Sequence, residues 1–179
     1  LFVYLLPTLI LCFLAPPRFK NLVLLALSLV FYGWEKPSYL FLMVLVIIES
    51  YGFGLLIERA KSEQVRRALM IVGVSLSLLA LGVFKYADFI IGALSKIPIF
   101  NTLRPLGIEL PIGISFYVFQ SVSYIIDVYK NTVRAQRSIV DFGAYVSMFP
   151  QLIAGPIVRY TTVESELSKR THSFENFSY

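Results

Sequence analysis

The chain alternates long apolar blocks with short polar joints. Apolar residues fill 1–15, 22–34, 39–57, 68–84 with a weaker continuation to 94, 110–129 and 139–158. A helix rises about 1.5 Å per residue, so roughly 20 apolar residues cross a hydrocarbon core of about 30 Å. The third and fifth blocks are long enough to span, whereas the first, at 15 residues, falls short. The pattern predicts an all-α integral membrane protein, a polytopic helix bundle of about six apolar segments.

The joints carry their own signals. Pro16 and Pro17 close the first block, and Phe31, Tyr32 and Trp34 end the second as an interfacial aromatic belt would. Pro111 suits the first position of the fifth helix, with Glu109 placed to favour the helix dipole. Ser138 and Asp141 resemble a capping box at the start of the sixth block. That block is not a plain helix, because Pro150 removes a backbone donor and Gly155-Pro156 interrupts it again. Freed backbone groups in lipid need partners, so the sixth segment is expected inside the bundle, broken or re-entrant. Thr161 and Glu164 would cap a short amphipathic helix over 161–167.

The fifth block adds a polar stripe. Gly113, Tyr117, Gln120, Tyr124 and Asp127 step by four, three, four and three, which places them on one face of a helix. Such a face is costly against lipid and is expected to look into protein or a wet cavity.

Composition supports the membrane reading. Hydrophobic residues make up 57% of the chain and charged residues only 15%, against about a quarter in soluble domains. The net charge of +5 sits in loops between apolar blocks, the distribution of a membrane protein and not of a nucleic-acid binder. With six alternating crossings, loops one, three and five hold nine Lys and Arg and loops two and four hold four, which puts the odd loops in the cytoplasm. If the sixth block is re-entrant, Arg159, Lys169 and Arg170 stay on that side as well. Cys12 has no partner for a disulfide and no metal-ligand spacing around it. The sequence starts at Leu1 inside an apolar run and stops at Tyr179 with no closing feature, as expected of a piece of a longer protein.

Candidate interior-lining residues are Glu49, Tyr117, Gln120, Tyr124, Asp127, Gln151 and Arg159. Each has a structural alternative. Asp127 would sit near the headgroups and bond to a loop cation, and Gln120 would make an interhelical hydrogen bond. Glu49 would pair with a cation from another segment, with Gly52 and Gly54 allowing close approach. Arg159, after the broken segment, presents a fixed positive charge to an anionic ligand or to a lipid headgroup. His172 lies between Thr171 and Ser173 in a polar tail and is read as solvated, not catalytic. No nucleophile elbow, P-loop or Cys/His cluster is present.

At LPIGISFYVFQSVSYIIDVYK (110–130) and FPQLIAGPIVRY (149–160), supported by FYGWEKPSYL (31–40) and FKYADF (84–89), the chain resembles the N-terminal part of a membrane-bound O-acyltransferase. Within that family it is similar to the bacterial alginate O-acetyltransferase and peptidoglycan acetyltransferase branch. The resemblance implies one membrane-embedded domain over 1–179, with a polar, partly amphipathic tail at 159–179 leading into a C-terminal half. It implies a multi-pass protein of the bacterial inner membrane with a funnel into the bilayer. It implies transfer of an acyl group, acetyl in this branch, from a donor such as acetyl-CoA or an acyl carrier to an extracytoplasmic polymer. It implies no tightly bound cofactor, and no metal site is expected. Partners are the lipid bilayer, the C-terminal half of the same protein and, in some members, a second extracytoplasmic acyltransferase. The family's catalytic histidine belongs to a Trp-His motif of the C-terminal half, and that motif is absent here. Trp34 is the only tryptophan and His172 has the wrong context. No catalytic residue is therefore carried onto this chain, which is expected to be inactive alone. Half of a transporter or flippase, or a non-enzymatic membrane scaffold, would share the hydropathy and the broken segment.

Overall fold

The apolar blocks fold as helices, and among the described residues there is no strand. The computed structural model describes residues 2–16, 18–96, 102, 104–107, 109–111, 113–154 and 158–163. In chain order the helices are α1 (Phe2–Leu14), α2 (Lys20–Glu35), α3 (Pro37–Arg59), α4 (Glu63–Leu94), α5 (Ile114–Tyr129), α6 (Ile139–Ser147) and α7 (Phe149–Ala154).

Among the described residues, only α3 and α4 are long and apolar enough to cross a membrane. Their 23 and 32 residues correspond to about 35 and 48 Å. The expected count of about six spans is not reached, because α1, α2, α5 and α6 have 13, 16, 16 and 9 residues. The sixth block in particular divides. A proline at 150 has no N–H to give and its ring would collide with the carbonyl four residues back. So α6 stops at Ser147, Met148 leaves helical geometry (φ −54, ψ 101), and α7 starts with Pro150 in its first turn. The Gly155-Pro156 interruption and the segment from 164 onward, including His172, lie outside the described residues.

The fifth helix also starts later than the sequence suggests. Gly113 takes a left-handed conformation (φ 74), so Pro111 falls outside the helix and α5 begins at Ile114. Glu109 does not serve the helix dipole. It pairs with Lys36 at 2.7 Å, and Tyr39 donates its hydroxyl to the Glu109 carbonyl at 2.8 Å. At the start of α6 the Ser138 hydroxyl accepts from the Asp141 N–H at 3.2 Å. The Asp141 carboxylate does not complete the box; it accepts from Asn21 Nδ2 on α2 at 2.7 Å. Tyr32, assigned to an aromatic belt, is buried against Tyr117, whereas Trp34 is exposed.

The three residues between α3 and α4 make an antiparallel pair, and α5 packs on both. The α3–α4 joint and the α5–α6 joint meet at one end. There Arg137 pairs with Glu58 at 2.7 Å, Arg66 donates to Asn131 Oδ1 at 2.7 Å and Tyr51 donates to the Arg137 carbonyl at 2.8 Å. The Lys36–Glu109 contact ties the joints at the other end of α3 and α5. On the far side α2 packs on α6, and α1 on α2. Phe31 stacks there between Tyr4 and Phe149 at centroid distances of 5.1 and 5.0 Å. Long helices with exposed apolar faces and polar ends are those of a membrane protein.

Candidate functional site

Helix α5 carries the site because its polar residues recur every three or four positions and its neighbours close over that stripe. Tyr117, Gln120, Tyr124 and Asp127 are all buried. α6 and the chain after α7 supply the facing wall. Tyr124 packs on Phe142 (4.5 Å between centroids) and edge-on to Tyr160 (5.2 Å), and Tyr145 meets Tyr160 at 5.3 Å.

Hydrogen bonds pin the aromatic wall. Tyr124 Oη accepts from the Gln136 N–H at 3.0 Å, and Gln136 Nε2 donates to Tyr160 Oη at 2.8 Å. Tyr145 donates its hydroxyl to the Val158 carbonyl at 2.8 Å. The Gln136 carboxamide oxygen accepts from the N–H groups of Arg137 (2.7 Å) and Ser138 (3.1 Å), which holds the turn into α6.

Other buried polar atoms on α5 and α6 have nothing to bond. Gln120 Oε1, Ser121 Oγ and Asp127 Oδ2 on α5, and Ser147 Oγ on α6, are buried without a hydrogen-bond partner. Leaving such a group unpaired costs about 1–3 kcal/mol. Buried polar groups are normally satisfied, so unpaired groups repeated along α5 make that helix the candidate for accommodating polar matter. An amide, a hydroxyl and a carboxylate can bind a hydroxyl or a carbonyl. Among the described residues they do not form a nucleophile paired with a base.

The other sequence candidates fall elsewhere. Gln151 is buried on α7, close to the α5 start, where a Cβ on Gly113 would lie 3.2 Å from the Leu152 carbonyl. Arg159 is exposed. Glu49 is half-buried and bonds to α4, with Ser77 Oγ donating to its Oε2 at 2.9 Å. Sequence reasoning missed Ser121 and Ser147. Ser121 lies one position past Gln120, off the stripe, and Ser147 is hidden in the apolar run just before the Pro150 break.

This sequence matches no family model, and no solved structure matches it. Its similarity to curated proteins is extensive. It is 42% identical over 171 residues, 93% of the chain, to the probable alginate O-acetylase of Azotobacter vinelandii. It is 41% identical over 183 residues, 99% of the chain, to that of Pseudomonas aeruginosa strain PAO1. The chain is homologous to alginate O-acetylases. The resemblance to this acyltransferase branch therefore extends over nearly the whole chain. A peptidoglycan O-acetyltransferase of Helicobacter pylori matches at 29% identity over 90% of the chain. The chain spans about a third of the length of these relatives, 34% of the Azotobacter protein and 35% of the other two.

Proposed function

We propose that these 179 residues are the N-terminal portion of a multi-pass, inner-membrane O-acyltransferase. The full protein would pass an acetyl group from acetyl-CoA or an acyl carrier to hydroxyls of an extracytoplasmic polysaccharide or cell-wall polymer. In the transfer the hydroxyl oxygen attacks the thioester carbonyl carbon, the C–O bond forms as the C–S bond breaks, and the hydroxyl proton ends on the leaving thiol. The α5 stripe would line the path, with Gln120 and Asp127 meeting polar groups of the passing substrate and the tyrosine wall holding them in place. The base would come from the C-terminal half, since activating a hydroxyl needs a group such as histidine within hydrogen-bond reach. A second, extracytoplasmic acyltransferase is the expected partner, and no tightly bound cofactor is required.

The observation that carries this reading is identity above 40% to two alginate O-acetylases over more than nine-tenths of the chain. The test is a segment exchange. The matching third of the Pseudomonas aeruginosa protein is replaced by residues 1–179 in a strain lacking its own copy, and alginate acetyl esters are measured. The exchange is expected to restore acetyl esters, and residues 1–179 alone to give none. Acetyl transfer by the isolated 179 residues in proteoliposomes would refute the partition. An exchanged protein that accumulates in the membrane but yields no esters would count against the function.

A further inference from the structure

The end at which the α3–α4 and α5–α6 joints meet is strongly basic. Residues 58–67 and 127–137 hold seven Lys and Arg against three acids. Those acids are already engaged or enclosed. Glu58 pairs with Arg137 at 2.7 Å, Glu63 lies 3.5 Å from Arg66, and Asp127 is buried. Arg66 also donates to the Tyr129 carbonyl and to Asn131, which locks the two joints together. Arg59, Lys61, Arg67, Lys130 and Arg134 are left over. All five are exposed, and among the described residues none is in an ion pair. The opposite end is closer to balance: Lys36 pairs with Glu109, and Asp88 accepts from the Leu106 N–H at 2.7 Å.

Depth selects the partner. A helix of 23 residues is about 35 Å long, so α3 overruns a hydrocarbon core of about 30 Å and carries Arg59 into the headgroup layer. The longer α4 brings Arg67 to the same layer from its first turns. Apolar side chains flank these cations on the outer surface: Leu56 precedes Arg59, and Val65, Ile71 and Val72 lie around Arg67, all exposed. Lipid tails against those side chains set the phosphates of the same lipids level with the cations. A soluble anion has no use for this apolar rim, whereas a lipid needs both parts. Basic clusters just outside a membrane helix attract anionic lipids, and the attraction is screened by salt. We infer that this end binds the phosphates of anionic phospholipids, with Arg59, Lys61, Arg67, Lys130 and Arg134 as the contacts. The three arginines give the more directional contacts, because a guanidinium meets a phosphate through two parallel N–H donors. The inference needs only a membrane-spanning chain and is independent of the transfer reaction.

The test uses the full-length protein reconstituted in phosphatidylcholine vesicles with a trace of spin-labelled phosphatidylglycerol or spin-labelled phosphatidylcholine. Electron paramagnetic resonance reads the fraction of label held at the protein surface. In low salt the phosphatidylglycerol label is expected to be preferred about fivefold, the equivalent of one surface cation. Replacing all five residues by Gln should bring the preference below about twofold, while Lys96→Gln with Arg104→Gln, at the opposite end, should leave it intact. Arg59→Lys with Arg67→Lys and Arg134→Lys keeps the charge and should keep most of the preference. About 1 M salt should abolish it in the unaltered protein, a reading that does not depend on how any variant folds. Equal fractions for the two labels in low salt would overturn the inference and leave the cations to a soluble acidic partner. A preference that survives the five replacements, survives salt, or falls equally with the change at the opposite end would overturn it as well.

Discussion

Gly54 of α3 meets Tyr124 of α5 so closely that a Cβ at residue 54 would lie 2.6 Å from the tyrosine oxygen and 2.7 Å from Cε1. The tyrosine cannot swing away. Its ring packs on Phe142 and Tyr160, and its oxygen accepts from the Gln136 N–H. Gly54→Ala is therefore expected to destabilise the bundle by about 1–3 kcal/mol through overpacking. Tyr124→Phe should not rescue it, because the Cε1 and Cζ contacts at 2.7 and 2.9 Å remain. Thermal unfolding of both single variants and the double variant in detergent decides this, and recovery of stability in the double variant would contradict the geometry.

Arg66 holds the last turn of α5. Its Nη2 donates to the Tyr129 carbonyl at 2.8 Å and to Asn131 Oδ1 at 2.7 Å. The carbonyls of a helix C-terminus have no partner within the helix, and a cation there also suits the dipole. Arg66→Ala should cost about 1.5–3 kcal/mol, as for hydrogen bonds to a charged group. Hydrogen exchange should quicken at residues 128–131 and not at the α5 start. Arg66→Lys should recover only part of the loss, since one ammonium replaces a planar fork of donors.

Much of this was legible because membrane helices announce themselves by length and composition. The continuation of the fourth block through Lys85, Tyr86 and Asp88 was readable, and α4 does run to Leu94. The Tyr117–Asp127 stripe was readable from helical period alone. The start of α5 was not, since Pro111 is a good first helical residue and nothing local requires Gly113 to take positive φ. That conformation belongs to its close approach to Leu152, a contact between segments far apart in sequence. Period likewise hides Ser121, which α5 buries although it lies off the stripe. Glu49 was legible as an anomaly, but its Ser77 partner on α4 was not, because serine pairing needs the helix register.

The Lys36–Glu109 pair should make a small, salt-sensitive contribution. Both side chains are exposed, at 45 and 73%. The hydrogen bond from Lys36 holds the Glu109 carboxyl below its ordinary value of 4.5, and the same bond raises the Lys36 ammonium above 10.5. A depressed acid contributes stability above its unfolded value and loses it as pH falls through the folded one. A raised base contributes below its unfolded value and loses it as pH rises through the folded one. The contribution is thus flat between about 4.5 and 10.5 and fades outside that window. Glu109→Gln should lower the melting temperature slightly at pH 7, and the difference should vanish in about 1 M salt. A difference that persists in high salt would contradict an ion-pair origin.

Gln120 separates a functional role from a structural one. Its oxygen is buried and unpaired, a state that costs about 1–3 kcal/mol. A side chain kept only for packing would be better as leucine, because replacing an unsatisfied buried amide by an apolar group removes that cost. Gln120→Leu is therefore expected to leave thermal stability unchanged or raise it. In the segment-exchanged alginate O-acetylase it should also lower acetyl-ester formation about five- to tenfold, as losing one hydrogen bond to a substrate does. Opposite changes in stability and activity are the signature of a group retained for its ligand. If Gln120→Leu melts earlier and acetylates normally, the α5 stripe is scaffolding and the substrate path lies elsewhere.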